Sequence, residues 1–121
     1  MTIASRKTRA SKGDPMGRPS RTAPNRTLAR FRRILRRRLP EMQQAYGVQA
    51  LWLFGSYVRG EAKPNSDLDV LVEFDEPPSF FEFIDLEDAL SEMAGVKVDL
   101  VMKSALRPRI GRRILAEVVA V

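Results

Sequence analysis

Residues 51–72 read LWLFGSYVRGEAKPNSDLDVLV, and the fold can be predicted from this segment. An apolar run ends at Gly55-Ser56, and after ten intervening residues Asp67 and Asp69 open a second run of alternating apolar residues. Side chains alternate across a strand, so Asp67 and Asp69 point to the same side, with Cα atoms about 6 to 7 Å apart. Two strands joined through a glycine turn would therefore hold a pair of carboxylates in place.

A third carboxylate, Asp99, lies in the short apolar segment VKVDLV of residues 96–101. Its apolar positions alternate with Asp99, which places this side chain on the polar face of a strand, where it can join Asp67 and Asp69. Three carboxylates that would otherwise repel one another are explained by a bound cation, and Mg²⁺ prefers oxygen ligands. We therefore expect Asp67, Asp69 and Asp99 to hold Mg²⁺, and Asp99 is also a candidate to accept a proton from an attacking hydroxyl.

The Gly55-Ser56 turn is the candidate phosphate site. Gly55 has no Cβ, so the backbone can turn sharply and a phosphate can approach closely, while Ser56 offers a hydroxyl. A helix that begins in residues 57–60 would add free amides and the positive end of its dipole. Arg59 has two interpretations of equal weight, a phosphate contact and a surface partner for Glu61.

The ordered combination of these motifs carries a family resemblance. From Val48 to Val101 the sequence resembles a minimal nucleotidyltransferase of the DNA polymerase β superfamily, whose signature is Gly-Ser, ten residues, Asp-x-Asp and a distal Asp. It is most similar to the small MNT-domain proteins paired with HEPN-domain toxins, in which Leu-Phe-Gly-Ser-Tyr-x-Arg-Gly and Val-Asp-Leu-Val recur. The resemblance covers about residues 27–121 and implies an α+β, polymerase β-like fold, a small mixed sheet flanked by helices.

The resemblance also implies a function. The chain would be a Mg²⁺-dependent protein adenylyltransferase that moves AMP from ATP to a hydroxyl, expected to be a tyrosine, of a partner HEPN ribonuclease toxin. It would act as the antitoxin, in a hetero-oligomer with that toxin. An alternative is a non-catalytic antitoxin that neutralises its partner by direct binding, with the acidic cluster structural or vestigial.

Length and composition limit the other classes of function. The 121 residues, 44% of them hydrophobic, allow one small core and no second substantial domain. There is no Cys and no His, which excludes disulfides, Cys/His zinc sites and the Ser-His-Asp triad. No apolar run approaches the roughly 18 to 20 residues of a membrane helix, and no apolar signal stretch opens the chain. We therefore expect a soluble, cytoplasmic protein, with an organellar address as the minor alternative because transit peptides can also be basic and rich in serine.

Charge is divided sharply along the chain. Residues 1–40 carry 13 Lys and Arg and one acid, a net charge of +12, whereas residues 41–121 carry 8 Lys and Arg and 14 acids, a net charge of −6. Residues 1–26 contain almost no large apolar residues and are expected to form a basic, disordered tail before a domain of residues 27–121.

The tail leaves three interpretations open. It is a contact for RNA or an acidic partner, a solvated tail, or the product of an upstream start codon, with Met16 as the true beginning. A tail that recruits the catalytic body to RNA is the least favoured function, because no aromatic residues interleave with its arginines to stack on bases.

Two arginine-rich helices are expected at the ends of the domain. In residues 27–39 the apolar residues recur on one helical face and the arginines on the other, and Pro40 is expected to break or restart this helix before a stop at Gly47. A second helix over about residues 108–117 precedes the apolar residues 118–121, which are expected to pack as an edge strand. The arginines of both helices are interpreted either as solvated faces or as contacts for phosphates or a partner.

A further helix is expected between the second and third strands. Ser79 and Glu82 form a capping-box pattern, which predicts a helix over about residues 80–94. Six apolar residues are assigned to the broad face that this helix turns toward the core, namely Phe80, Phe83, Ile84, Leu86, Leu90 and Met93.

Overall fold

The computed structural model of this protein describes residues 27–121. The predicted disorder of residues 1–26 and the question of Met16 lie outside the described residues. No helix in the described part of the chain is long and apolar enough to cross a membrane. The elements follow in the order α1 Leu28–Tyr46, β1 Val48–Phe54, α2 Ser56–Arg59, β2 Leu68–Phe74, α3 Phe80–Ala94, β3 Val98–Met102, a 3₁₀ turn Lys103–Ala105, α4 Pro108–Glu117 and β4 Val119–Ala120.

The strands form one mixed sheet in the order β3-β2-β1-β4. β1 pairs antiparallel with β2 and with β4, and β2 pairs parallel with β3. The start of β2 therefore lies between the end of β1 and the start of β3. Asp69 is opposite Phe54 of β1 on one side and opposite Asp99 of β3 on the other. The α+β fold with a small mixed sheet flanked by helices, which the sequence predicts, is confirmed.

One face of the sheet forms the core. The alternating side chains Leu68, Val70 and Val72 of β2 are fully buried on that face. They belong to a cluster that also contains buried residues of α1 and α3, among them Phe31, Leu35, Leu86 and Leu90. Because side chains alternate along a strand, Asp69 points away from this core and toward the opposite face.

Helix α1 continues through Pro40. The helix begins after Thr27, whose hydroxyl accepts a hydrogen bond from the Arg30 amide at 3.2 Å, and ends at Gly47 with a left-handed φ of 71°. Proline removes the hydrogen bond to the carbonyl of residue 36, but Arg36 and Pro40 are both exposed, so water can satisfy that carbonyl. The expectation that Pro40 breaks or restarts the helix is therefore wrong.

Helix α3 has the predicted capping box. The Glu82 carboxylate accepts from the Ser79 amide at 2.8 Å, and the Ser79 hydroxyl accepts from the Glu82 amide at 3.2 Å. The prediction that Phe80 faces the core is wrong, since its side chain is 73% exposed. Phe80 occupies the first position of the helix, and its ring packs edge to face on Phe81, which is 77% exposed. The buried residues of α3 lie further along, at Leu86, Leu90 and Ala94, and Phe83 and Met93 pack against the core while partly buried.

Side chains of α3 cover the outer edge of β3. The Ser91 hydroxyl accepts from the Val98 amide at 3.0 Å, and the Glu87 carboxylate accepts from the Leu100 amide at 2.9 Å. An uncovered edge would leave these amides free to pair with another chain. The edge next to the acidic residues is thus closed by the helix that precedes it in sequence.

The opposite edge of the sheet is the predicted terminal strand, β4. Two arginines of α1 donate to carbonyl groups here, Arg32 to Ala120 of β4 at 2.9 Å and Arg36 to Val121, directly after β4, at 2.7 Å. Two of the arginines on the basic face of α1 therefore bind the chain itself.

Candidate active site

Strand register brings two of the three candidate acids side by side. Asp69 on β2 is the Cα partner of Asp99 on β3, and Asp67 stands directly before β2, which begins at Leu68. Asp67 and Asp99 are exposed, whereas Asp69 is half-buried. The three carboxylates consequently lie at one end of the two parallel strands, on the face away from the core.

The electrostatic environment of Asp69 is unfavourable for its own charge. Burial raises the pKa of Asp69 to about 6, the negative charges of Asp99, Asp67 and Glu117 contribute to the increase, and Arg59 opposes it. Within residues 27–121, none of the three aspartates forms an ion pair with a lysine or arginine. A bound cation would relieve this concentration of unpaired negative charge.

The donor set fits Mg²⁺ bound together with a phosphate ligand. In the described range 27–121, no three or more acidic side chains converge closely enough to form a complete metal centre by themselves. Mg²⁺ commonly takes only one or two carboxylates and fills its other positions with water and substrate phosphates. The open arrangement of these carboxylate oxygens is compatible with that pattern. The assignment of Asp67, Asp69 and Asp99 as ligands stays a prediction.

Gly55 is required at the turn because of its contact with Asp69. Its φ is 83°, and a Cβ built on it would lie 1.9 Å from Oδ2 of Asp69. Its amide donates to Oε2 of Glu117 at 2.7 Å. The group that approaches Gly55 closely, where the sequence suggested a phosphate, is the side chain of Asp69. The Gly55 amide is already hydrogen-bonded to Glu117.

Helix α2 follows the Gly55 turn, but it begins at Ser56, before the predicted start in residues 57–60, and has a single turn that ends at Gly60. The next residue, Tyr57, is buried and packs edge to face on Phe31 of α1, with ring centroids 5.0 Å apart. Its hydroxyl donates to the Ser66 carbonyl at 3.4 Å, which ties the turn to the loop before Asp67. The Ser56 hydroxyl has no hydrogen-bond partner within residues 27–121, so it is free to bind a ligand.

Arg59 pairs with Glu61, which was one of its two predicted roles, and it also contacts Glu117. Its Nε donates to Glu61 at 2.9 Å, and its Nη1 donates to both carboxylate oxygens of Glu117 at 3.1 and 3.2 Å. These hydrogen bonds raise the pKa of Arg59 above its ordinary value. Its Nη2 has no partner in the described part of the chain.

Glu117 is the residue of this site that sequence reasoning missed. It is the last residue of α4 and the only acid in residues 104–121. Its partners Gly55 and Arg59 are far away in sequence, so no local pattern predicts the contact. A single acid in an otherwise basic helix, directly before an apolar strand, is the only signal in the sequence.

A cavity of about 230 Å³ opens between the Gly55 turn and α4. Arg113 is one of the α4 arginines interpreted either as a solvated face or as contacts for phosphates or a partner, and it lines this cavity together with Arg59 and Asp69. Ser56, Asp67 and Asp99 are not part of its wall, so they extend the site beyond it. The lining residues are Phe54, Gly55, Arg59, Asp69, Ile110, Arg113, Ile114 and Glu117.

Comparison with known proteins gives the family. The model described as nucleotidyltransferase domain matches residues 28–121. The protein adenylyltransferase MntA of Thermococcus cleftensis is 48% identical over 95 residues, which cover 78% of this chain and 96% of that relative. A solved structure described as a minimal nucleotidyltransferase has a TM-score of 0.61 at 34% identity and covers 77% of this chain and 90% of its own.

Two further solved structures share the fold. A toxin–antitoxin complex with AMP-PNP matches with a TM-score of 0.59 at 21% identity, covering 69% of both chains. The complex of a tri-AMPylated Shewanella oneidensis HEPN toxin with an MNT antitoxin matches with a TM-score of 0.54 at 16% identity, covering 74% of this chain and 70% of the other. At these identities the two likenesses show the fold alone. The family model and the 48% identical relative carry the assignment, and the chain is a nucleotidyltransferase that belongs to the nucleotidyltransferase domain family.

Proposed function

We propose that this protein transfers AMP from ATP to a tyrosine hydroxyl of a partner HEPN ribonuclease toxin and so acts as a cytoplasmic antitoxin. The observation that carries the proposal is the register of Asp69 with Asp99 beside the Gly55-Ser56 turn, in a chain 48% identical to an MntA protein adenylyltransferase. One structural relative binds an ATP analogue and another is complexed with an AMPylated HEPN toxin, which supports ATP as the donor and the toxin as the acceptor.

The charge of the site supports a requirement for Mg²⁺. The three aspartates and Glu117 face two arginines, Arg59 and Arg113, so the site without ligands is negative and repels a polyphosphate. Asp67, Asp69 and Asp99 would hold Mg²⁺, which would neutralise charge on the triphosphate and polarise its α-phosphate.

The remaining steps use the chain's own groups. The Ser56 hydroxyl and the free Nη2 of Arg59 bind the phosphates of ATP, because both lack a partner within residues 27–121. The acceptor oxygen forms a bond to the α-phosphorus, the bond from that phosphorus to the oxygen bridging the β-phosphorus breaks, and pyrophosphate leaves with the electron pair. Asp99, which is exposed beside Asp69, accepts the proton of the attacking hydroxyl.

The size of the cavity supports an acceptor supplied by a second protein. Its volume of about 230 Å³ is below the roughly 300 to 1,000 Å³ of pockets that enclose small molecules. The site therefore encloses part of a nucleotide at most, and the exposed carboxylates Asp67 and Asp99 stay open to a macromolecular acceptor.

A labelling experiment tests the proposal. The purified protein is incubated with labelled ATP, Mg²⁺ and the product of the neighbouring gene, and label is expected on that product but not on its tyrosine-to-phenylalanine variant. The double variant Asp67→Asn, Asp69→Asn is expected to abolish labelling. Glu41→Gln, which alters a surface carboxylate paired with Arg38 on α1, serves as the control and should label normally. Absence of label with the unaltered protein would contradict adenylyl transfer.

The second candidate is a non-catalytic antitoxin that neutralises its partner by direct binding. It is favoured by the exposed ring pair of Phe80 and Phe81, since adjacent apolar side chains at a surface often mark a protein interface. The same double variant separates the two functions. Neutralisation that survives when labelling is lost would favour masking, and loss of both would favour the enzyme.

A further inference from the structure

We propose that Glu117 is a positioning residue for the nucleotide, which holds the Gly55 turn and Arg59 in the geometry that receives the phosphates. The inference rests on the proposed function, because it concerns the same phosphate site. Glu117 acts through these two partners.

One carboxylate joins two separate parts of the phosphate site. Oε2 of Glu117 accepts from the Gly55 amide at 2.7 Å and from Nη1 of Arg59 at 3.2 Å, and Oε1 accepts from the same Nη1 at 3.1 Å. Hydrogen bonds to an ionised group are roughly twice as strong as neutral ones. The start of the turn and the guanidinium are thereby fixed relative to each other.

The hydrogen bonds of Arg59 leave one part of its guanidinium for a ligand. Arginine has five donors in a planar fork. Nε is used by Glu61 at 2.9 Å and Nη1 by Glu117, so within residues 27–121 only Nη2 has no acceptor. Arg59 lines the cavity together with Asp69, so its guanidinium belongs to a residue of the site. A side chain already held at two of its nitrogens loses less conformational freedom when a phosphate binds.

Glu117 is itself held by the sheet. It ends α4, and two residues later Val119 pairs with Leu53 of β1, while the Val121 amide donates to the Leu51 carbonyl at 3.1 Å. Its side chain is only 26% exposed, against 65% for Glu41 in the surface pair with Arg38. The pairing of β4 with β1 therefore fixes the position of the Glu117 carboxylate. This carboxylate is also more buried than that of Glu41 in the surface ion pair.

Binding of ATP in the presence of Mg²⁺, measured by calorimetry on the full chain, tests the inference. Glu117→Ala is expected to weaken binding by about two- to tenfold, the range that ordering one long side chain corresponds to. Made alone, Arg59→Ala should weaken ATP binding. Combined with Glu117→Ala it should cause little further loss, because both substitutions remove the same contact between Arg59 and Glu117. A residue needed only for stability would not produce this coupling.

Two variants control the measurement. Glu61→Gln removes the other carboxylate from Arg59 but leaves the Gly55 contact, so a smaller loss than for Glu117→Ala is expected. Glu41→Gln should leave binding unchanged. Should Glu117→Ala unfold at the assay temperature, Glu117→Gln carries the test, because it keeps an acceptor oxygen for the Gly55 amide but removes the charge that holds Arg59.

Three results would overturn the inference, and they differ from one another. Tighter ATP binding by the Glu117 variants would show that the carboxylate competes with phosphate for the same donors. Unchanged binding, or additive losses with Arg59→Ala, would show that Glu117 does not position Arg59. Failure of the unaltered protein to bind ATP with Mg²⁺ would remove the proposed function and this inference together, whereas in the first two cases the proposed function survives.

Discussion

Asp69 is held by the fold in a place that disfavours its charge. Its pKa of about 6 lies above the ordinary value of 3.8, mainly because of burial and then because of Asp99 and Asp67. A carboxyl whose pKa is raised by folding favours the folded state when it is protonated. That contribution is complete below pH 4 and is lost as the pH rises through 6.

We therefore expect Asp69→Asn to stabilise the protein at pH 7.5 in the absence of divalent cations and to have little effect at pH 4. Asparagine keeps the shape of the protonated carboxyl and carries no charge at either pH. The melting temperature at both pH values, with a chelator present, measures this, and 1 kcal/mol corresponds to about 4 to 8 °C in a small domain. Asp85→Asn, on the exposed side of α3, is the control. An equal effect of Asp69→Asn at both pH values would contradict the explanation.

Two glycines with positive φ differ in ψ and in what a Cβ would meet. Gly55 and Gly60 have φ of 83° and 75°, but a Cβ at Gly60 would meet nothing within 4 Å, whereas at Gly55 it would overlap Asp69. We expect Gly60→Ala to lower the free energy of unfolding by about 1 to 2 kcal/mol, the cost of a left-handed residue. Gly55→Ala should cost about 1 to 3 kcal/mol more, because Asp69 must move. The ψ of −155° at Gly55, against 23° at Gly60, adds to this difference, since it lies in a region that only glycine adopts readily. Urea denaturation of both variants measures the difference, and equal losses would contradict it.

The residues of the site could be predicted where they lie close together in the sequence. The spacing of Gly55, Asp67 and Asp69 follows from strand alternation and turn chemistry, which act over a few residues. The contact between Gly55 and Glu117 spans 62 residues and depends on where α4 ends relative to β1. No periodicity or local motif encodes that distance.

Among the elements, β3 depends on α3 for more than apolar packing. It is an edge strand, and Ser91 and Glu87 of α3 accept hydrogen bonds from its outward-facing amides. Because β3 carries Asp99, the helix that closes this edge also steadies one of the three candidate acids.

We expect Glu87→Ala to lower the free energy of unfolding by about 1 to 3 kcal/mol, since it leaves the partly buried Leu100 amide without an acceptor. The freed edge should also increase self-association. Chemical denaturation and light scattering measure the two effects. Glu92→Ala alters an exposed carboxylate of the same helix and should change neither. If both variants behaved alike, the hydrogen bond would contribute nothing to the edge.

Helix boundaries were predicted well where a capping residue marks them. Ser79 with Glu82 locates the start of α3, and Gly47 locates the end of α1. Pro40 was wrongly expected to break α1, because the cost of a missing hydrogen bond is local whereas the packing of Phe31, Leu35 and Met42 holds the helix on both sides of it. The exposure of Phe80 was missed for a related reason, since periodicity gives the face of a residue but not whether the rest of the protein reaches that far along the helix.

Over the whole molecule, the net charge belongs to the part outside the described domain. Residues 1–26 contain seven Lys and Arg and one acid, a net charge of +6, whereas residues 27–121 contain 14 Lys and Arg and 14 acids. The domain alone is therefore neutral overall, although most of its arginines lie on α1 and α4 and most of its acids lie on other elements. Proteins with a net charge near zero associate and precipitate more readily.

If residues 27–121 are the complete folding unit, deletion of residues 1–26 should leave the melting temperature and the binding of ATP with Mg²⁺ unchanged. The same deletion should lower solubility near neutral pH, because it removes the entire net charge. Precipitation by polyethylene glycol measures solubility, and a full-length variant with the seven basic residues of this segment changed to glutamine separates charge from chain length. A fall in melting temperature would place part of the fold within residues 1–26. A salt-sensitive affinity for RNA that disappears with the deletion would instead give the segment a binding function, since counterion release makes such contacts weaken steeply with salt.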